Sequence, residues 1–297
     1  MDAKLKFAET PLLKIAYEER GTSGGPPVIL LHGWPDDIRT WDAIVPRLVE
    51  AGFRTIAPFT RGFGPTTFLR PSTIRSGQLS AVGSDVIDFA TALRLERYAV
   101  LGHDWGARAA YQAASQAAHA VTHCIALCVG YATNHPDQQL SLVQARNYWY
   151  HWYMALPRGK EWVEKHRREF CRYLWATWSP TWDFSDAEFD ATARSFENPD
   201  WAAIVINSYR HRWGLAEGDP RYDALEQRLN PAPVIKVPTL VLHGEIDGAN
   251  HPETSAGKER FFSGRYARKV LPGVGHFAQR EAPQTVASEA IAWLRSQ

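Results

Sequence analysis

Tyr98-Ala99-Val100-Leu101-Gly102-His103-Asp104-Trp105-Gly106-Ala107-Arg108 passes from an apolar run to a helix-prone one without a linker. Residues 98–101 have the length and composition of a buried strand, and the alanine-rich stretch over 105–117 predicts a helix. Two glycines bracket Asp104. Small residues at those places let the chain turn sharply, so the central side chain stands out above the end of the strand. Here that side chain is a carboxylate. A hydroxyl attacking saturated carbon would leave an ether, which an active-site water cannot cleave. A carboxylate attacking the same carbon leaves an ester, which water hydrolyses at the enzyme's own carbonyl. Asp104 is therefore the candidate nucleophile toward an alkyl electrophile, either an epoxide carbon or a carbon–halogen centre. The plainer alternative is an aspartate capping the helix that follows.

Strands and helices alternate on both sides of this turn. Residues 5–32 read as strands that end in the apolar run Val28-Ile29-Leu30-Leu31, the pattern of a strand covered on both faces. A helix over 38–50, a strand over 55–57 and a helix from about residue 80 follow, then a strand over 121–129. After residue 230 come a strand over 239–242, a helix over 252–262, a strand over 267–271 and a helix over 283–294. Such alternation predicts right-handed βαβ units and a mostly parallel sheet. Residues 131–232 break the rhythm, and eight of the twelve tryptophans fall between 131 and 230. The reading is an α/β core over 1–130 and 233–297, with an inserted helical cap over 131–232.

Composition excludes several classes. With 33 basic and 32 acidic residues the net charge is +1, and no long basic run offers a surface for nucleic acid. No apolar run reaches the roughly 18 residues of a membrane span. The first ten residues lack an apolar core, so no signal peptide is expected. Three cysteines, Cys124, Cys128 and Cys171, form no even set and no CxxC, as expected of reduced thiols in a cytoplasmic protein.

The partners of Asp104 lie near the C-terminus. Pro272-Gly273-Val274-Gly275-His276-Phe277 places His276 just past a strand, at the sheet edge where active sites collect. Thr239-Leu240-Val241-Leu242-His243-Gly244 runs into Glu245-Ile246-Asp247. Asp247 is the expected orienting acid, with Glu245 as its rival. The order Asp104, Asp247, His276 is nucleophile, acid, base. His276 would deprotonate water, and Asp247 would hold its tautomer. The backbone N–H groups of Trp34, in His32-Gly33-Trp34-Pro35, and of Trp105 are the expected oxyanion donors. His32, His103 and His243 read as core histidines, Arg61-Gly62-Phe63-Gly64 as a supporting turn, and Gly21-Thr22-Ser23-Gly24-Gly25, which precedes a strand, as a turn. No metal or cofactor is expected. The Gly273–Ala278 loop fits a dinucleotide fingerprint only loosely, since Pro272 precedes it and no acid follows at the required distance.

Together these motifs resemble the α/β-hydrolase superfamily, in its branch of soluble epoxide hydrolases and haloalkane dehalogenases. The resemblance spans nearly the whole chain and implies an α/β-hydrolase fold, with a mostly parallel eight-stranded sheet flanked by helices and an inserted helical cap. It departs at Pro58-Phe59-Thr60, where epoxide hydrolases usually carry an aspartate, and at Asp36, where glutamate is common. Members that open epoxides use two cap tyrosines on the ring oxygen. Tyr150-His151-Trp152-Tyr153 before Pro157 resembles the first tyrosine segment and Asn207-Ser208-Tyr209-Arg210 the second. The resemblance thus implies Tyr150 and Tyr209, with Tyr153 replacing Tyr150 if the register shifts; both could instead simply pack in an aromatic cap. Haloalkane dehalogenases usually hold halide with an asparagine after the HG of this motif, or a cap tryptophan, beside the tryptophan that follows the nucleophile; Trp105 is present here, but Trp34 replaces that asparagine. Fluoroacetate dehalogenases grip a carboxylate with two arginines; Arg108 matches the second, Trp105 replaces the first, and a structural ion pair is the plainer reading of Arg108. His151 and Trp152 resemble their cap His-Trp pair, one residue out of place.

The expected activity is cofactor-free hydrolysis of an apolar or aromatic epoxide to a vicinal diol by a monomer or homodimer. Trp105, His151, Trp152, Tyr153 and Arg108 are expected near the substrate. Hydrolytic dehalogenation is the runner-up, and a non-catalytic binding protein on the same fold is the third reading.

Overall fold

The computed structural model describes residues 4–133 and 139–296. Its sheet is built from β1 (Lys6–Glu9), β2 (Leu13–Arg20), β3 (Pro27–Leu31), β4 (Arg54–Pro58), β5 (Thr67–Phe68), β6 (Tyr98–His103), β7 (Val121–Leu127), β8 (Thr239–Gly244) and β9 (Tyr266–Leu271). Eight strands run in the order β1-β2-β4-β3-β6-β7-β8-β9, and the two-residue β5 adds a ninth by pairing with β2. The pairs from β4 through β3 to β9 are parallel, whereas β1 with β2 and β2 with β4 are antiparallel. Two residues are too short to show alternation, so β5 adds a strand to the eight that the resemblance implied.

Helices cover both faces. Along β3, Val28 and Leu30 join one core cluster and Ile29 and Leu31 the other, as the period of two requires. α1 (Val45–Glu50) lies on the first face, and α2 (Leu79–Ala92) and α3 (Trp105–Gln116) on the second. Between β7 and β8 the described chain is helical: α4 (Leu142–Asn147), α5 (Trp149–Ala155), α6 (Pro157–Lys165), α7 (Arg167–Trp178), α8 (Asp186–Ala193), α9 (Trp201–His211) and α10 (Asp223–Leu229). α11 (Ala278–Glu281) and α12 (Pro283–Arg295) end the chain, and α12 packs on the face of α1. No helix of the described residues is long and apolar enough to cross a membrane. Cys124, Cys128 and Cys171 are buried free thiols.

Two predicted helices differ in the structure. Over 252–262 there are two 3₁₀ turns, Pro252–Ser255 and Glu259–Phe261, because Gly257 between them sits at φ +64°, which a right-handed helix cannot pass through. Over 38–50 a 3₁₀ turn, Ile38–Trp41, precedes α1, whose first turn contains Pro46.

Paired acids after the Trp34 loop tie core to cap. Asp36 accepts from Arg280 (Nη2 to Oδ1, 2.7 Å), which also bonds Glu188 of α8. Asp37 accepts from Ser195 Oγ in the cap and from Arg39 N, and has no cation of its own among the described residues. Burial, with the charge of Asp36 beside it, pushes its carboxyl up to about 7. The folded chain therefore holds this proton more tightly than the unfolded one. Its contribution to stability is complete below about pH 4 and is lost as pH rises through about 7. Asp37→Asn should flatten that loss by roughly 2–4 kcal/mol between pH 4 and pH 8, at about 1.4 kcal/mol per pH unit. Denaturant unfolding at the two pH values measures it; an unchanged slope would show that Asp37 is not the titrating group.

Candidate active site

Asp104 occupies the turn between β6 and α3 at φ +52°, ψ −114°, a conformation that costs a non-glycine residue about 1–3 kcal/mol. The chain around it is too tight for side chains. A Cβ on Gly102 would lie 2.1 Å from Gly106 O, and one on Gly106 would lie 2.0 Å from Leu31 O. A Cβ on Gly33 would meet Asp104 Cβ at 2.4 Å, so glycine there lets the Trp34 loop close on the carboxylate. The Trp34 N–H donates to Asp104 Oδ1 at 3.0 Å. Trp105 is the first residue of α3, where helix geometry leaves amide N–H groups without an intrahelical acceptor.

His276 follows β9 and is fully buried. Its Nδ1 faces both Asp247 oxygens at 3.0 and 2.9 Å, and its Nε2 lies 3.8 Å from Asp104 Oδ2 with no hydrogen-bond partner among the described residues. Burial alone would lower the imidazole, but the Asp247 carboxylate outweighs it and holds His276 above its ordinary value. Burial would likewise raise Asp247, yet His276 and His243 hold it well below the usual carboxylate range. Its Oδ1 accepts from Ala249 N and Asn250 N, both at 2.8 Å, and His243 Nε2 lies 3.3 Å from Oδ2. Glu245 instead turns outward and accepts from Gly273 N.

Cap helices close over this group. Tyr150 of α5 and Tyr209 of α9 are buried with ring centroids 5.3 Å apart, and both rings pack on Trp34 at 5.7 and 5.0 Å. Trp105 Nε1–H donates to the Tyr209 hydroxyl at 3.1 Å. Burial, with the Asp104 charge nearby, keeps both phenols protonated well above their ordinary value. Tyr153 points elsewhere and packs on Trp149, Trp162 and Phe170. Trp152 is half-exposed against Trp213, with its Nε1 on Ala145 O. His151 stacks on Tyr148 and contacts Tyr209. Arg108 forms no ion pair among the described residues, contrary to the structural-pair reading; its Nη1 bonds Thr133 Oγ1 and O. A helix turn spaces it four residues from Asp104, on a wall that it shares with Arg212 around a cavity of about 600 Å³.

Several positioning residues carry no local signal. His243 and Asn250 hold Asp247, and the Trp178 carbonyl accepts from His276 N at 3.1 Å. Glu281 accepts from Gly275 N and Phe277 N and so fixes the His276 loop. His103 Nε2 lies 2.8 Å from the His276 carbonyl, and burial with the neighbouring His276 lowers it to about 4. Only the strand-end position of the histidines hinted at this.

Residues 26–283 match the family model described as alpha/beta hydrolase fold. The crystal structure of a candidate epoxide hydrolase from Klebsiella pneumoniae subsp. pneumoniae superposes with a TM-score of 0.92, at 36% identity over 99% of this chain and 98% of that one. An epoxide hydrolase of Caballeronia sordidicola is 26% identical over 92% of this chain and 88% of its own length. Epoxide hydrolase A of Mycobacterium tuberculosis is 32% identical over 108 residues, so the match spans 36% of this chain and a third (33%) of that relative. The chain belongs to the alpha/beta hydrolase fold family, in the branch that holds these epoxide hydrolases.

Proposed function

We propose that this hydrolase adds water to an epoxide, giving a vicinal diol through an ester on Asp104. The observation that carries the reading is the pair of buried, protonated phenols, Tyr150 and Tyr209, packed together over the Trp34 loop that holds Asp104. Asp104 Oδ2, the oxygen not engaged by Trp34, attacks a ring carbon and the C–O bond breaks. Tyr150 and Tyr209 donate to the oxygen that takes up the electron pair. Because the Tyr209 oxygen already accepts from Trp105, its own proton is free for the substrate. His276, oriented by Asp247, then takes a proton from water, which attacks the ester carbonyl. Charge gathers on Oδ1, where the N–H groups of Trp34 and Trp105 receive it. The intermediate collapses with cleavage of the ester C–O bond, His276 passes its proton to the departing diol oxygen, and the proton of the incoming hydroxyl restores the tyrosine as Asp104 returns to the carboxylate.

Hydrolytic dehalogenation is the second reading. It is favoured by the buried indole N–H groups of Trp34 and Trp178, which have no acceptor among the described residues and could hold halide. A departing halide needs no proton, so the tyrosines discriminate. Across an epoxide panel the Tyr150→Phe/Tyr209→Phe variant should lose about 10²–10⁴-fold in kcat for diol formation. Unchanged kcat, or turnover of alkyl bromides alone, would overturn the epoxide reading.

A further inference from the structure

Four arginines stand around the junction of core and cap, Arg61 and Arg108 buried and Arg212 and Arg280 partly so, and they divide into two kinds. Arg61 is paired with Asp85, and Arg280 with Asp36 and Glu188. Arg108 and Arg212 have no carboxylate partner among the described residues, and the Nε–H of each is buried without an acceptor. Arg108 is only 8% exposed. Arg212, three residues beyond Tyr209, lies over the Tyr209 ring at 4.6 Å and the Trp105 ring at 5.6 Å, with Nη2 on Ser208 Oγ. The oxygens of Asp104 face Trp34 N–H and His276, and Glu226, which lines the same cavity as the arginines, is engaged by Ser80 Oγ.

Another unpartnered donor lies behind this wall, against Trp213. His151 is 1% exposed, and its Nδ1 accepts from Trp213 Nε1, which puts the proton on Nε2. That Nε2 also lacks a partner among the described residues. Burial, with the charges of Arg212 and Arg108 added to it, depresses His151, and burial with the Arg108 charge lowers Arg212. Two like charges near one another repel, and an anion between them relieves that repulsion. The cavity of about 600 Å³ that both arginines line also carries Tyr111, Tyr131, Trp213 and Leu229, which suit an apolar body, and the polar Gln112 and Glu226, the latter engaged by Ser80 Oγ; it lies beside Asp104, which does not line it.

We propose that Arg108 and Arg212 form a carboxylate subsite, and that the epoxide opened in the reaction proposed above, on which this assignment rests, belongs to an organic acid. The guanidinium groups engage the carboxylate through forked N–H donors. Arg108 lies about one helical turn, or about 5–6 Å, along α3 from the nucleophile, so an acid group a few bonds from the ring reaches it.

The test compares an epoxy acid with its primary amide, and in parallel measures calorimetric binding of 4-phenylbutyrate against 4-phenylbutanamide, neither of which can react. Wild-type protein should favour the epoxy acid in kcat/KM and bind phenylbutyrate at least about 10–100-fold more tightly than the amide. Arg108→Gln and Arg212→Gln should each reduce both preferences by about 10-fold or more, chiefly through KM. The melting temperature of either variant should not fall, because an unpaired buried charge is removed; a fall with Gln that Lys restores, with acid preference intact, would mark a structural arginine and overturn the subsite. Equal handling of acid and amide by wild type overturns it as well. Phenylbutyrate binding that depends on both arginines, without turnover of any epoxide, supports the subsite and overturns the epoxide reading instead.

Discussion

His276→Phe is expected to turn the protein into a reagent that reacts once and stops. The first step needs only Asp104, the ring carbon and the tyrosine protons, none of which the substitution removes. The second step needs a base beside the ester, and the buried Nε2 of His276, 3.8 Å from Asp104 Oδ2, is the group placed for it. Mixing the variant with an epoxide should raise the intact mass by that of the whole epoxide, one per chain, with the adduct mapped to Asp104. Steady-state turnover should fall by about 10⁴-fold or more, as for loss of a base that acts as a unit with its nucleophile. An adduct of substrate minus HX from a halide panel would establish the dehalogenase instead. No adduct from either panel would remove the ester mechanism and favour the non-catalytic reading.

Asp104→Ala should abolish turnover, by about 10⁴–10⁶-fold in kcat, because no other carboxylate stands in the turn to form the ester. Combined with His276→Phe it should also abolish the mass increase, which separates loss of the nucleophile from loss of the base. Folding should persist. Alanine retains the unfavourable φ of +52° but forfeits only one hydrogen bond, from Trp34 N–H, so near-ultraviolet dichroism should match the parent. Residual turnover above about one per cent would show that another group attacks.

The parts of the molecule legible from sequence are those set by neighbours along the chain. The apolar run ending in Leu31 and the period-two split of β3 predict a strand covered on both faces, because each side chain's direction follows from backbone geometry. Gly102 and Gly106 betray the turn at Asp104 since a Cβ at either would strike backbone within 2.1 Å. The helix expected over 252–262 failed where Gly257 takes a positive φ, a choice that its apolar spacing does not reveal.

From the amino-acid order alone follow the α/β alternation, the carboxylate at the sharp turn, and the succession of acid and imidazole after later strands; local sterics and hydrophobic period suffice for these. Packing between distant segments decided the rest. It set Asp247 rather than Glu245 against His276, turned Tyr150 and not Tyr153 toward Tyr209, moved Trp152 to the rim, and brought Arg212 beside Arg108 from more than a hundred residues away. Each of these depends on how cap helices rotate onto the sheet, and that rotation is fixed by burial shared among tryptophans far apart in the chain, which no local pattern encodes.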